Sequence, residues 1–161
     1  MSDRTLKALL GTLGILLVIW AGVSLFSGRG GTSGAPTGAV SGFFQGVTPE
    51  STSEVRIRKP EDGTTVEIRR EAGSWTVNGY ATDSGTVARF WDAMGEADFG
   101  DRMASNPANH SRMGVSADSA IQLELVTGSD TRVLFIGKPG PRYGTAFARL
   151  PDEDPVYLLE G

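Results

Sequence analysis

The stretch Glu54–Arg69, EVRIRKPEDGTTVEIR, places apolar residues at alternate positions on both sides of a short polar break. Alternating apolar and charged residues are typical of a strand with one buried and one solvated face. The break, Pro60–Gly63, has the proline, acidic residues and glycine that favour a turn. The stretch therefore predicts a β-hairpin. A second turn at Glu71–Ser74 leads into a short third strand, Trp75–Val77, so the hairpin opens an antiparallel meander.

A helix is predicted directly after this meander. Asp83 or Ser84 is a suitable N-cap, because a short polar side chain accepts a bond from the first free amides of a helix. Apolar residues then recur every three or four positions, at Val87, Phe90, Trp91, Met94 and Ala97. One apolar stripe of this kind predicts that helix 84–97 covers one face of the sheet.

The remaining third of the chain is predicted to be mostly strand. A brief strand at 102–105 precedes a helical turn that begins at Asn106-Pro107 and ends at Gly114. Alternating patterns between turn residues then predict four strands, at 120–126, 132–136, 143–150 and 156–159. We expect an α+β domain in which a mostly antiparallel sheet of seven or eight strands carries one amphipathic helix.

Upstream of the hairpin, residues 27–42 are rich in Gly, Ser and Thr and predict a flexible tether, with the domain starting at residue 43. Phe43-Phe44 follows the tether at once. This aromatic pair has three possible contacts, namely the domain itself, lipid headgroups or a neighbouring subunit.

Before the tether, the nineteen residues Ala8–Phe26, ALLGTLGILLVIWAGVSLF, contain no charge. At about 1.5 Å per helical residue the run matches the ~30 Å hydrocarbon core of a bilayer, so it predicts one transmembrane helix. Arg4 and Lys7 precede the run and Arg29 alone follows it closely, which predicts a cytoplasmic residue 1–7 segment and an exported domain. A cleaved signal peptide has a shorter apolar core of about 7–15 residues, and a buried core helix is the other alternative.

Composition excludes several classes of function. The chain has no cysteine and a net charge of −4, so thiol chemistry, disulfides and cysteine metal sites are excluded and nucleic acid is not an expected partner. His110 is the only histidine, and no Ser or Asp pairing around it points to a catalytic triad. Gly137–Arg142 resembles a phosphate loop only superficially, because proline follows Lys138 where a P-loop has Ser or Thr. We predict no catalytic residue, no metal site, no cofactor and no small-molecule substrate.

A series of short landmarks follows the hairpin along the chain, namely Trp75-x-Val77, Tyr80-Ala81-x-Asp83, Asn106-Pro107, Met113-Gly114-Val115, Phe135-Ile136-Gly137-Lys138, Tyr143 through Ala148-Arg149, and Val156-Tyr157-Leu158. In their order these landmarks resemble the bacterial DUF4340 family over residues 50–159. The resemblance implies a bacterial envelope protein with an N-terminal anchor, in a family whose members are often auxiliary components of ABC-type transport or gliding systems. It implies no enzymatic activity and transfers no catalytic residue. Longer relatives carry more than the single copy of the domain seen here.

We therefore expect a non-catalytic accessory subunit of a bacterial inner-membrane complex, with photosynthetic and respiratory assemblies as possible hosts and a periplasmic domain 43–161. An ABC-transport auxiliary and an envelope ligand-binding domain or enzyme are the alternatives. The residues expected to contact partner subunits or the lipid bilayer are Leu9, Leu13, Leu16, Trp20, Phe43 and Phe44.

Overall fold

The computed structural model describes residues 39–161. This part of the chain forms one nine-stranded sheet in which every neighbouring pair of strands is antiparallel. The strands are β1 Thr52–Lys59, β2 Thr64–Glu71, β3 Ser74–Val77, β4 Tyr80–Ala81, β5 Asp98–Ala104, β6 Ile121–Thr127, β7 Asp130–Pro139, β8 Thr145–Arg149 and β9 Val156–Glu160. The predicted mostly antiparallel sheet is confirmed.

The first four strands form the predicted meander, with one short strand more than the sequence indicated. Val55 pairs with Ile68 across the β1–β2 hairpin, so the apolar residues of both strands share a face. Asn78 and Gly79 both have positive φ and form the turn into β4. Asn-Gly is the preferred sequence for such a two-residue hairpin turn.

Helix α1, Ser84–Glu96, connects the two ends of the sheet. In the strand order β4-β3-β2-β1-β6-β7-β8-β9-β5, the helix follows the first strand and precedes the last. Its N-cap is Asp83, whose carboxylate accepts a bond from the Thr86 amide at 2.9 Å. Val87, Phe90 and Met94 pack with buried Trp91 against the sheet. The predicted helix and its apolar stripe are therefore present, and they carry the chain across one sheet face.

The return from β5 to the middle of the sheet runs through a 3₁₀ turn, Pro107–Asn109, and a short helix α2, His110–Met113. The Asn106 side chain caps the turn through the Ala108 amide at 2.9 Å. β6 then pairs with β1, and the meander β6 to β9 ends beside β5. Within residues 39–161, helices α1 and α2 and one 3₁₀ turn therefore accompany the sheet.

The core has two parts. The larger one lies under α1 and includes Val55, Ile68, Leu125, Leu134 and Tyr157. The smaller one contains Met113, Val115 and Val156, with Met103, Ala104 and Phe147 packed around them. The α2 segment therefore has its own apolar contact with the sheet.

None of the helices within residues 39–161 has the length and hydropathy to cross a bilayer. The run Ala8–Phe26 and most of the predicted tether lie outside the described residues. The predicted transmembrane helix stays a prediction.

Candidate functional site

An apolar groove lies between α1 and the β3–β4 edge of the sheet. It has a cavity volume of about 620 Å³, within the range of ~300–1,000 Å³ typical of ligand sites. Its lining residues are Pro49, Gly73, Ser74, Trp75, Ala81, Thr82, Ser84, Val87, Ala88, Trp91 and Asp92. We call this surface the tryptophan groove.

The tryptophan groove exists because one stripe of α1 faces the sheet edge. Its helical residues Ser84, Val87, Ala88, Trp91 and Asp92 are spaced at i, i+3, i+4, i+7 and i+8, the positions of a single helix face. At about 1.5 Å per residue this face extends for about 12 Å. Regular secondary structure thus forms most of the groove, and turn residues such as Pro49 and Gly73 complete its rim.

Two indole rings form the floor of the groove. The ring centroids of Trp75 and Trp91 are 5.2 Å apart with an interplanar angle of 48°, and Phe90 packs edge-on against Trp91 at 5.2 Å. Trp91 is 8% exposed, and its Nε1 has no hydrogen-bond partner in residues 39–161. Aromatic contacts of this kind add about 0.5–1.5 kcal/mol per pair beyond the buried area, so the floor is well packed.

The polar groups of the groove are few. The side chains of Ser74, Thr82, Ser84 and Asp92 line it, and no hydrogen bond joins any of them to another group in the described part of the chain. Asp92 is the single charged lining residue. Arg89, its neighbour on α1, donates instead to the Gly85 carbonyl at 3.3 Å. The groove is therefore apolar with one negative charge at an exposed position.

The N-terminal segment of the described chain docks on the domain beside β5 and β7. Phe43 is 4% exposed and lies edge-on to Phe99 at 6.2 Å, while the partly buried Phe44 stacks on Phe99 at 5.5 Å. Arg132 of β7 donates from Nη1 to the main-chain carbonyls of Phe43 and, at 2.9 Å, Gln45. We call Val40–Val47 with its Arg132 contacts the docked segment.

The docked segment contains Phe43 and Phe44, two of the residues predicted to contact partner subunits or the lipid bilayer. Three contacts were considered for Phe43-Phe44. In the structure both rings pack on the domain itself, against Phe99. Contact of this pair with lipid or a partner stays a prediction, and Leu9, Leu13, Leu16 and Trp20 lie outside the described residues.

Arg149, one of the landmarks named above, is a buried residue for which the sequence indicated no role. Its guanidinium donates to four main-chain carbonyls, namely those of Val115 at 3.1 Å, Leu150 at 3.0 Å, Pro151 at 2.7 Å and Glu153 at 2.9 Å. Burial lowers its pKa, and the charges of Asp154 and Asp152 act in the opposite direction. Five N–H donors in a planar fork suit this task. Arg149 ties the β8–β9 turn to the chain after α2, so its role is structural.

His110 has a similar structural contact. Its Nε2 lies 2.8 Å from the main-chain oxygen of Asp154, which joins α2 to the same turn. Among residues 39–161 no group of three His, Asp or Glu side chains is placed to hold a metal ion.

The face of β1, β2 and β6 away from α1 carries paired charges. Arg56 contacts Glu54 and lies 2.8 Å from Glu124, while Arg69 contacts Glu67 and lies 3.4 Å from Glu54. The Arg56–Glu124 and Arg69–Glu54 pairs join neighbouring strands, and the other two lie within one strand. The arginines are exposed and Glu54 is largely buried, and exposed surface pairs contribute about 0–1 kcal/mol each.

The fold and groove define a class of protein, an antiparallel β-sheet domain crossed by one helix. A family profile described as "Domain of unknown function (DUF4340)" matches residues 75–161, more than half of the chain. The chain belongs to the DUF4340 family, which confirms the family indicated by its landmarks. No curated protein and no solved structure matches the chain.

Proposed function

We propose that this protein is a membrane-anchored, non-catalytic accessory subunit of a bacterial membrane complex, with its sheet domain on the periplasmic side. The anchor is the uncharged run Ala8–Phe26, whose length suits one helical crossing of a bilayer.

The docked segment is the observation that carries this proposal. Because Val40 and Phe43 belong to the core, the folded domain begins before residue 43, and only residues 27–39 lie between it and the uncharged run. At no more than about 3.6 Å per residue, this connection spans at most about 50 Å. A domain held this close to a bilayer is suited to contacts with other subunits of the same membrane.

The first test is membrane association of the full chain. We expect the wild type to stay in the membrane fraction after a carbonate wash, and the double variant Leu13→Arg/Leu16→Arg to be lost from it. Two charges at the centre of a span cost about 2.5–3.5 kcal/mol each on insertion scales. Ser27→Arg/Thr32→Arg adds the same charge outside the run and should stay in the membrane fraction. Release of the wild type by the wash would contradict the proposed anchor.

The second test is native mass spectrometry of the complex purified in detergent through the full chain. We expect stoichiometric membrane subunits, with loss of these subunits from the Leu13→Arg/Leu16→Arg variant. Recovery with an ATPase and its permease would favour the transport auxiliary. Recovery of the chain alone would contradict the accessory role.

A further inference from the structure

We propose that the tryptophan groove binds a small amphiphilic amine, a ligand with an apolar body and one positive charge. This site goes beyond the anchoring role, because it assigns a ligand to the domain itself. Peptides and anionic lipids are the competing occupants.

The apolar body of the ligand follows from the lining. Trp75, Trp91, Val87 and two alanines supply the walls and the floor, and a cavity of about 620 Å³ suits a molecule of drug-like size. Indole rings are rigid, so binding against them immobilises few side-chain rotamers. The groove is held by α1 and β3, which keeps this surface formed before a ligand arrives.

The positive charge of the ligand follows from the electrostatics of the groove. Asp92 contributes one carboxylate, and no Lys or Arg side chain is among the lining residues. Arg70 donates to the Pro49 carbonyl at 3.1 Å and Arg89 to the Gly85 carbonyl, so both guanidinium groups keep their charge but are held at main-chain oxygens. Within the lining itself, an ammonium gains Coulomb attraction from Asp92 and electrostatic attraction from indole faces, whereas a carboxylate or phosphate is repelled by Asp92.

The hydroxyl groups at the rim of the groove are a third feature that suits an amine. Ser74, Thr82 and Ser84 line the groove and make no side-chain hydrogen bond within residues 39–161. Each hydroxyl can accept a bond from an ammonium N–H. A peptide would instead need a longer row of free main-chain groups than the two-residue strand β4 provides at this edge.

The test compares three probes of one shape and different charge, namely 3-phenylpropylamine, 3-phenylpropanol and 3-phenylpropionate. Each is titrated into the full chain in detergent, with the indole N–H resonances of Trp75 and Trp91 as the readout. We expect saturable shifts of both resonances and binding of the amine about tenfold tighter than that of the propionate. The alcohol should fall between them.

Matched variants locate the site. Ala88→Arg fills the groove and should abolish binding of all three probes, whereas Ala93→Arg, at an exposed position of α1 outside the lining, should leave it unchanged. Asp92→Asn should reduce the amine preference over the alcohol to within about twofold. Asp92→Lys should make the propionate the tightest probe.

Three results would overturn the proposal. These are equal affinity for amine and propionate, equal loss of binding in Ala88→Arg and Ala93→Arg, and absence of saturable shifts at millimolar probe. If a valine- and lysine-containing hexapeptide bound and the small probes did not, the ligand of the groove would be a peptide and not a small amine. None of these results bears on membrane association, so the proposed anchor is tested separately.

Discussion

At the scale of single residues, the ionisation of Asp62 makes the stability of a surface turn depend on pH. Its carboxylate lies 2.9 Å from Lys59 Nζ and accepts a bond from the Thr64 amide at 2.9 Å. The Lys59 side chain, followed by Thr64, lowers the pKa of Asp62 from 3.8 to about 2. The depressed pKa means that this turn is stabilised above about pH 4 and loses that contribution as pH falls toward 2.

A carboxyl-detected NMR titration checks this value. We expect the Asp62 resonance to titrate near pH 2 in the wild type. In Lys59→Met the pKa should rise toward its ordinary value but stay below it, because the Thr64 bonds remain. An unchanged pKa in that variant would refute the role assigned to Lys59.

Among the single-residue substitutions, we expect the largest loss of stability at Arg149. Arg149→Met removes the donors for the Val115, Leu150 and Glu153 carbonyls, and we expect a loss of roughly 3 kcal/mol or more in the free energy of unfolding. Arg149→Lys should recover little of it, because an ammonium lacks the planar fork. Urea denaturation of the full chain measures both. Arg142→Met removes only the exposed pair with Glu160 and should change stability by less than about 1 kcal/mol.

Local patterns could predict only part of these residue roles. The turn at Pro60–Gly63 depends on residues that are close together in sequence, so the composition of these four residues was enough to predict it. Arg149 stands at the end of an alternating strand, and nothing nearby in sequence shows that Val115, 34 residues away, will bury it. A basic residue two positions before the turn Pro151–Pro155 was the available signal.

At the scale of elements, the alternation of apolar residues located β1, β2, β3 and β6 because each strand has one buried face. The pattern missed β4, which has two exposed residues, and most of β5. β5 pairs with β9 through register shifts on both sides of Arg102, so its alternation is broken. The docked segment begins within the predicted tether, at Val40, and local patterns do not reveal its contact with Arg132, which binds its carbonyls from about 90 residues later.

Local sequence patterns also failed to predict the tryptophan groove. Trp75 and the stripe of α1 were each visible in the sequence, and Trp91 was correctly assigned to the buried face. Their contact depends on how α1 leaves the β4 edge, which is a tertiary feature. The groove could therefore not be predicted from either element alone.

A pair of glycines tests the packing of α2 against β7. A Cβ at Gly137 would collide with the Met113 carbonyl oxygen and lie 2.8 Å from Val115 Cγ1. We expect Gly137→Ala to cost about 1–3 kcal/mol, because α2 must move. At Gly95 in α1 nothing lies within 4 Å of the added Cβ, and Gly95→Ala should stabilise by about 0.5–1 kcal/mol. Thermal unfolding of both variants measures the contrast, and a shift of the same sign in both would refute it.

At the scale of the whole molecule, the proposed anchor gives the sheet domain one testable orientation relative to the membrane. The chain has no cysteine, so a single introduced cysteine reports its own accessibility without background. Tyr143 is fully exposed on the domain, and Ser2 precedes the uncharged run. The distribution of Arg4, Lys7 and Arg29 predicts that these two positions lie on opposite sides of the membrane.

Labelling of spheroplasts with a membrane-impermeant maleimide measures this orientation. We expect Tyr143→Cys to be labelled in intact spheroplasts and Ser2→Cys only after lysis. A double exchange, Arg4→Ser with Ser27→Arg, reduces the basic bias before the run and increases it after the run, so it should lower the labelled fraction of Tyr143→Cys. Labelling of Ser2→Cys in intact spheroplasts would reverse the proposed orientation, and the tryptophan groove would then face the cytoplasm with its ligand drawn from that side.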